Sequence, residues 1–235
     1  MVNAPVRKVD ALLFDKDGTL FDFHATWSAW AARLIAGLAG GSDAKTRELA
    51  EAMAFDLASG RFRPESPVIA GTNREAAQCL APALPGRSLG EIEELLSAES
   101  ARAPLSPAVP LAPLLEGFLA DGLHLGVVTN DSEFAAVAQL RAAGVHDHFH
   151  FIAGFDSGHG AKPGPGALLA FAEARGLAPA RVAMVGDSTH DLFAGRAAGM
   201  MTVAVLTGVA EAGELAPHAD VVLDHIGHLP AWLVG

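Results

Sequence analysis

Two aspartates, Asp15 and Asp17, directly follow the short apolar run Leu12–Phe14 and precede Gly18. An apolar run of this kind is typical of a buried β-strand, and a glycine allows a tight turn at its end. Two carboxylates held this close repel each other, and they stay ionised only when a cation or hydrogen bonds compensate. The stretch therefore predicts a site for a hard metal ion, with one carboxylate free to act as a nucleophile.

Two later stretches could hold an anion. Thr129 and Asn130 follow an apolar run, and a hydroxyl together with backbone N–H groups at a strand end can hold phosphate oxygens. Lys162 lies in the loop-forming segment 160–165, and lysine is a compact charge that can neutralise a phosphate and a carboxylate. The glycines of this segment do not form a P-loop, because alanine and proline stand where that motif requires glycine and a hydroxyl residue.

A second pair of acids, Asp187 and Asp191, follows the predicted strand 181–185. They lie four residues apart across the start of a predicted helix, so their side chains can share one side of its first turn. Carboxylate oxygens suit Mg²⁺, which binds few carboxylates and accepts phosphate oxygens of a substrate. The alternative is that both acids only cap the helix, whose dipole favours negative charge at that end.

Strand and helix patterns alternate through the second half of the chain. Predicted strands cover residues 124–129, 149–153, 181–185, 202–206 and 221–223, and predicted helices cover residues 111–121, 133–143, 166–175 and 191–198. This alternation predicts an α/β fold with a doubly wound, mostly parallel, Rossmann-like sheet, which binds ligands at the carboxyl ends of its strands. The polar stretches at Asp15, Thr129 and Asp187 all fall at such ends.

The segment 21–107 separates the first strand from this alternating region and predicts helices without strands. Helices are predicted from Thr26 to the glycines at 40–41, and over residues 42–59, 73–84 and 89–102. Two of them begin with a capping-box pattern, at Thr72 and Ser88. We therefore predict a core of residues 1–20 and 108–235, with an inserted all-helical cap domain of residues 21–107.

Four of these motifs resemble signatures of the haloacid dehalogenase (HAD) superfamily, in its phosphate-transferring branch. They are the D-x-D-G-T pattern at Asp15–Thr19, the pair Thr129-Asn130 after its strand, the Lys-Pro-x-Pro pattern at Lys162–Pro165 and the G-D-x-x-x-D pattern at Gly186–Asp191. The resemblance covers residues 8–20 and 110–206, whereas the insert is similar to the family's small cap only in position and helicity. One departure is Lys16, which stands where members of the family often carry an apolar residue.

The resemblance implies a Mg²⁺-dependent phosphatase that hydrolyses small phosphorylated metabolites through an aspartyl-phosphate. Asp15 would be the nucleophile and Asp17 the general acid and base, with Lys162 and Thr129 neutralising the phosphate. The further residues implied for phosphate or substrate are Gly18, Thr19 and Asn130, and those implied for the metal are Asp15, Asp17, Asp187 and Asp191. The last of these would bind the ion directly or orient the groups around it.

Three hypotheses for the activity remain open from the sequence. The layout and the cap type are most similar to phosphoglycolate phosphatase-like members. A hexose-phosphate mutase of the β-phosphoglucomutase type would use the same signatures, and a catalytically inactive binding protein could keep the fold. A dehalogenase is disfavoured, because those members lack the second aspartate that Asp17 supplies and need no metal.

Outside these motifs, the substrate-binding candidates of the cap are Arg63, for a substrate carboxylate, and His24, in the connector between core and cap. Three alternating histidines, His146, His148 and His150, would lie on one face of a strand. We interpret them as a solvated or edge-strand face rather than a zinc site, because neither cysteine nor an H-E-x-x-H pattern accompanies them.

The composition narrows the classes of partner and location. The net charge of −11 over 235 residues argues against binding nucleic acid or an anionic membrane. The single cysteine, Cys79, cannot form an intrachain disulfide, and no apolar run approaches the length of a signal peptide or a membrane span. We therefore expect a cytoplasmic protein, either a monomer or a homodimer.

Overall fold

The computed structural model describes residues 7–234, so the ends of the predicted core at residues 1–6 and 235 lie outside the described residues. Its strands are β1 Ala11–Phe14, β2 Phe55–Asp56, β3 Arg61–Phe62, β4 His124–Val128, β5 Phe151–Ala153, β6 Val182–Gly186, β7 Met201–Val205 and β8 Val221–Leu223. Six of them form one sheet in the order β5-β4-β1-β6-β7-β8, and every neighbouring pair is parallel. The predicted doubly wound sheet is confirmed.

Helices cover both faces of this sheet. The helices are α1 Phe23–Ala39, α2 Asp43–Ala52, α3 Pro67–Ala70, α4 Asn73–Leu80, α5 Leu89–Ser100, α6 Leu111–Ala120, α7 Glu133–Ala142, α8 Gly166–Arg175, α9 Thr189–Ala198, α10 Ala212–Leu215 and α11 Leu229–Val234. Side chains of β1 alternate between the faces: Leu12 and Phe14 pack with α6 and α11, and Leu13 packs with α8 and α9. Burial on both faces explains why β1 is apolar throughout.

The segment predicted to be all-helical also contains strands, so that prediction is wrong in one place. The strands β2 and β3 form a short antiparallel hairpin, and α2 ends at Ala52 rather than Ser59. The carboxylate of Asp56 accepts hydrogen bonds from the backbone N–H groups of Ala58 and Ser59, which competes with a helical turn. Leu57 would follow Leu49 and Met53 on the buried side of a helix that ran on to Ser59, but it is 46% exposed.

The insert has a hydrophobic cluster of its own, whose buried members run from Phe23 to Ala103. Both predicted capping boxes are confirmed at α4 and α5. The two chain segments that join the insert to the sheet lie side by side, because the N–H of Ala108 donates to the carbonyl of Leu20 and that of Asp22 to the carbonyl of Ser106. This arrangement is consistent with the predicted boundaries at 21 and 107, which remain a prediction.

The three alternating histidines do not share a strand face. His146 and His148 lie in a 3-10 turn after α7, and the strand begins only at Phe151. The Nδ1 of His146 contacts Asp147, whereas the Nδ1 of His150 accepts a hydrogen bond from the N–H of Leu125. Their alternation therefore reflects a turn between α7 and β5 rather than a strand.

A helix that crosses a bilayer needs about 20 predominantly apolar residues. Within residues 7–234, no helix combines the length and the apolar character needed to cross a bilayer.

Candidate active site

The carboxyl ends of three adjacent strands bring the sequence motifs together. Asp15 follows β1, Thr129 follows β4 and Asp187 follows β6, and β1 is hydrogen-bonded to both of the other strands. Because parallel strands all end at the same edge of a sheet, residues far apart in sequence become neighbours there. The structure thus places the aspartates, Thr129 and the lysine loop in one site.

Lys162 is the cation at the centre of this site. Its Nζ lies 2.5 Å from the Oδ1 of Asp15, 2.7 Å from the Oδ1 of Asp191 and 2.9 Å from the carbonyl oxygen of Val128. An ammonium has three N–H donors, so these contacts use all of them. Burial would lower the pKa of Lys162, but the two carboxylates outweigh it and raise that pKa. Lys162 therefore stays charged and fixes Asp15.

Three buried carboxylates lie close enough to hold one metal ion. Oxygens of Asp15, Asp187 and Asp191 lie within 4.8 Å of one another. Burial, together with repulsion from Asp191 and Asp17, raises the pKa of Asp15 to about 7 although Lys162 opposes the shift. Burial and the same kind of repulsion raise the pKa of Asp187 well above its usual value. A divalent cation would relieve this repulsion and favour the ionised carboxylates, so the donor set fits Mg²⁺.

Asp191 is engaged on both of its oxygens. One accepts from Lys162, and the other accepts from the backbone N–H and the hydroxyl of Ser188 in a capping box at the start of α9. These contacts orient Asp191 and tie α9 to the lysine. Of the two alternatives predicted for Asp191, they favour the orienting role.

Two glycines make room for Asp187. A Cβ on Gly18 would lie 2.3 Å from the Oδ2 of Asp187, and a Cβ on Gly208 would lie 1.7 Å from the same atom. Gly18 also has a φ of +82°, which L side chains rarely adopt. Gly208 was not identified from the sequence, where its only signal is a glycine two residues past the predicted strand 202–206. Both glycines therefore leave the space that the Asp187 carboxylate occupies.

Thr19, predicted to contact phosphate, is fully buried behind the site. Its hydroxyl donates to the Oδ1 of Asp187 at 3.3 Å, and neither Thr19 nor Gly18 lines the cavity above Asp15. In this structure both residues therefore support Asp187 from behind, which is a correction to the predicted phosphate contacts.

Lys16 is a buried cation beside Asp17. Its Nζ lies 2.5 Å from the Oδ2 of Asp17 and 3.3 Å from the Oδ2 of Asp131, and it also donates to the side chain of Gln139. Burial would lower the pKa of Lys16, but Asp17 and Asp131 outweigh it and raise that pKa. The Oδ1 of Asp17 is buried and has no hydrogen-bond partner within residues 7–234, and Asp17 itself lines the cavity. Asp131 and Gln139 were not identified from the sequence.

Thr129 and Asn130 are neighbours in one loop, and their side chains have different partners. Thr129 lines the cavity, and its hydroxyl oxygen accepts from the N–H of Asp131 while keeping its own proton free to donate. The side-chain amide of Asn130 bonds the backbone of Lys162 on both sides and also donates to the carbonyl of Ala70 in the insert. The side chain of Asn130 therefore positions the lysine loop.

The cavity lies between this edge of the sheet and the insert. On the core side its lining includes Asp15, Asp17, Thr129, Asn130, Asp131, Lys162, Asp187 and His190, and on the insert side most of the lining is aromatic or aliphatic. The structure does not bring Arg63 or His24 into this lining. The Arg63 guanidinium instead pairs with Glu51 at 3.0 Å and Glu65 at 3.2 Å, which corrects its predicted role. Burial and the nearby Arg61 lower the pKa of His24.

The family of the chain follows from a comparison with known proteins. The sequence model of the haloacid dehalogenase-like hydrolase family matches residues 9–199 of the chain. The chain therefore belongs to this family of hydrolases, and the resemblance drawn from the four motifs is confirmed.

Curated relatives of the chain include phosphoglycolate phosphatases, which match over part of their length. The one from Chromobacterium violaceum is 40% identical over 107 residues, which are 46% of this chain and 47% of that protein. The one from Escherichia coli K12 is 36% identical over 121 residues, which are 51% of this chain and 48% of that protein. The chain thus matches about half the length of these relatives.

Solved structures share the whole fold at low identity. A predicted phosphoglycolate phosphatase from Haemophilus somnus has a TM-score of 0.72 at 19% identity, covering 96% of this chain and 98% of its own. An L-2-haloacid dehalogenase from Xanthobacter autotrophicus has a TM-score of 0.65 at 19% identity, covering 97% and 99%. Because these neighbours are described by different activities, the likeness establishes the fold and leaves the reaction to the site.

Proposed function

We propose that the protein hydrolyses small-molecule phosphate monoesters through a phosphorylated Asp15. The observation that carries this proposal is the pairing of Asp15 with Lys162 at 2.5 Å, directly beside Asp17, which lines the cavity and whose Oδ1 has no hydrogen-bond partner within the described residues. A nucleophilic carboxylate needs a neighbouring charge that keeps it ionised, and the second step needs a base within reach of water. The chain supplies both groups at one edge of the sheet.

The reaction would proceed in two displacements. A carboxylate oxygen of Asp15 attacks phosphorus, the bond from phosphorus to the ester oxygen breaks, and Asp17 in its protonated form gives its proton to the departing alkoxide. Water then attacks phosphorus, Asp17 takes a proton from it, and the acyl-phosphate bond breaks to release inorganic phosphate and restore the Asp15 carboxylate. Lys162 holds Asp15 in place through both steps, and Thr129 can donate to a phosphate oxygen.

Mg²⁺ is the cofactor that we propose for this site. Asp15 and Asp187 would hold the ion, with the backbone carbonyl of Asp17 as a further oxygen and Asp191 orienting its neighbours. A bound Mg²⁺ would offset the charge of the phosphate and of the clustered carboxylates. Burial and mutual repulsion raise the pKa of both carboxylates proposed to hold the ion, Asp15 and Asp187.

The test is phosphate release from a panel of phosphate esters that includes 2-phosphoglycolate, the substrate that the relatives' names suggest. Wild-type protein is compared with Asp15→Asn, each with Mg²⁺ and with chelator. We expect release that needs Mg²⁺ and that the substitution lowers by at least about 10⁴-fold, because the nucleophile is lost. Release that survives Asp15→Asn would overturn the mechanism. Conversion of a hexose phosphate to its isomer without phosphate release would favour the mutase.

A further inference from the structure

The insert side of the cavity is the side that would contact the alcohol part of a phosphate ester bound at Asp15. Its lining includes Phe23, Trp27 and Trp30 on α1, Val68 and Ile69 on α3, and Leu96 on α5. Resting on the proposed phosphatase activity, we propose that the preferred substrate is the phosphate ester of an uncharged, ring-bearing alcohol rather than of a carboxylate-bearing one such as glycolate. The ring would contact the aromatic wall while the phosphate lies at Asp15.

The charges around the cavity carry the first half of this argument. Among residues 7–234, Lys162 is the only lysine or arginine that lines the cavity, and its three donors are already used by Asp15, Asp191 and the carbonyl of Val128. Several carboxylates, Asp131 among them, line the same space. Lys16, which pairs with Asp17 and Asp131, does not itself line the cavity. A second anionic group on the substrate would therefore be buried there without a cation to pair with it, which is costly.

The polar end of α4 does not replace the missing cation. Gly71, Thr72 and Asn73 line the cavity at the start of this helix, where free N–H groups could otherwise bind a carboxylate. The N–H and the hydroxyl of Thr72 instead both bond the Oε2 of Glu75, at 2.7 and 3.0 Å. A carboxylate of the chain itself therefore already lies at this helix start, and it would repel that of a substrate.

The tryptophans carry the second half of the argument. Trp27 and Trp30 are 7% and 3% exposed, and their rings meet edge to face with centroids 5.0 Å apart. Neither indole Nε1 has a hydrogen-bond partner within residues 7–234. Buried donors are normally paired, and both tryptophans line the cavity, so we infer that a bound ligand supplies acceptor oxygens for them. An apolar ring with hydroxyl, ether or carbonyl oxygens would satisfy both the aromatic wall and the indole N–H groups.

The experiment compares benzyl phosphate, ethyl phosphate and 2-phosphoglycolate as substrates of the wild-type protein with Mg²⁺. The first two release ordinary uncharged alcohols, so a difference between them reports on contacts rather than on leaving-group charge. We expect kcat/KM to be at least about ten-fold higher for benzyl phosphate than for 2-phosphoglycolate, with ethyl phosphate between them. A preference for 2-phosphoglycolate would overturn this inference and leave the phosphatase activity standing. Hydrolysis of none of the three would overturn both.

A charge placed on the insert wall sharpens the test. Ile69→Arg adds a cation to the cavity lining, and we expect it to raise kcat/KM for 2-phosphoglycolate and to lower it for benzyl phosphate, each by about ten-fold. The matched control is Leu57→Arg, which adds the same charge to the insert at a position that is 46% exposed and outside the cavity lining. Equal kinetics for the two variants, both with wild-type melting temperatures, would contradict the assignment of the insert wall to the leaving group.

Discussion

The core side of the cavity is held by hydrogen bonds between charged groups, whereas the insert side is held by packing. Lys162 and Asp191 use all or nearly all of their polar atoms on other residues of the core. Trp27 and Trp30 are buried among apolar neighbours and leave their Nε1 atoms unpaired within the described residues. The difference suggests that the core side is specific for the reacting group and that the insert side is specific for the alcohol attached to it.

The difference between the two sides of the cavity is tested most directly by displacing the carboxylate of Asp187 on the core side. Gly208→Ala would place a Cβ 1.7 Å from the Oδ2 of Asp187, so the carboxylate or the loop must shift. We expect kcat for any hydrolysed ester to fall by about 10²-fold or more, because a displacement of roughly 1 Å in a site has effects of that size. Mg²⁺ affinity, measured by calorimetry, should fall as well.

The matched control is Gly213→Ala, since a Cβ on Gly213 meets nothing within 4 Å. It should leave both Mg²⁺ affinity and turnover unchanged. Wild-type behaviour of Gly208→Ala would show that Asp187 is not held as tightly as the core side of the cavity requires.

A second prediction compares a buried charge of the core with a surface charge of the insert. Lys16→Met removes the cation beside Asp17 and leaves Asp131 buried without it. We expect the free energy of unfolding to fall by about 3–5 kcal/mol, measured by urea denaturation. Lys45→Met breaks a surface pair with Glu48 and should change it by less than about 1 kcal/mol. Equal losses for the two variants would mean that the Lys16 contacts add nothing beyond an ordinary ion pair.

The smallest expected effects come from the insert, where packing decides. Leu49→Ala removes a fully buried side chain from the insert cluster and should lower the free energy of unfolding by about 2–5 kcal/mol. Leu57→Ala changes a side chain that is 46% exposed and should lower it by less than about 0.5 kcal/mol. Both leucines would count as buried if α2 continued to Ser59, so similar losses would argue against the hairpin and for the longer helix.

Some elements were predictable from local signals alone. The helix Gly166–Arg175 was predicted with its observed bounds, because an apolar stripe, a preceding proline and a closing Gly176 all agree. The capping boxes at Thr72 and Ser88 were predictable for the same reason, since their partners lie three residues away. The β2–β3 hairpin was missed because its two short strands gain their stability from Phe55 and Phe62 packing into the insert cluster, a contact that no local pattern reveals.

The family, the parallel sheet and the acids and lysine at its edge could be predicted from the sequence alone. Each of those rests on residues close in sequence or on a regular alternation of strand and helix. Which of these residues are in contact is visible only in the folded protein. Lys162 donates to Asp15 and Asp191, and Gly208 leaves space for the side chain of Asp187. Arg63 pairs with Glu51, outside the cavity lining. These are contacts between residues distant in the chain, and burial and electrostatic pairing in the folded protein select them.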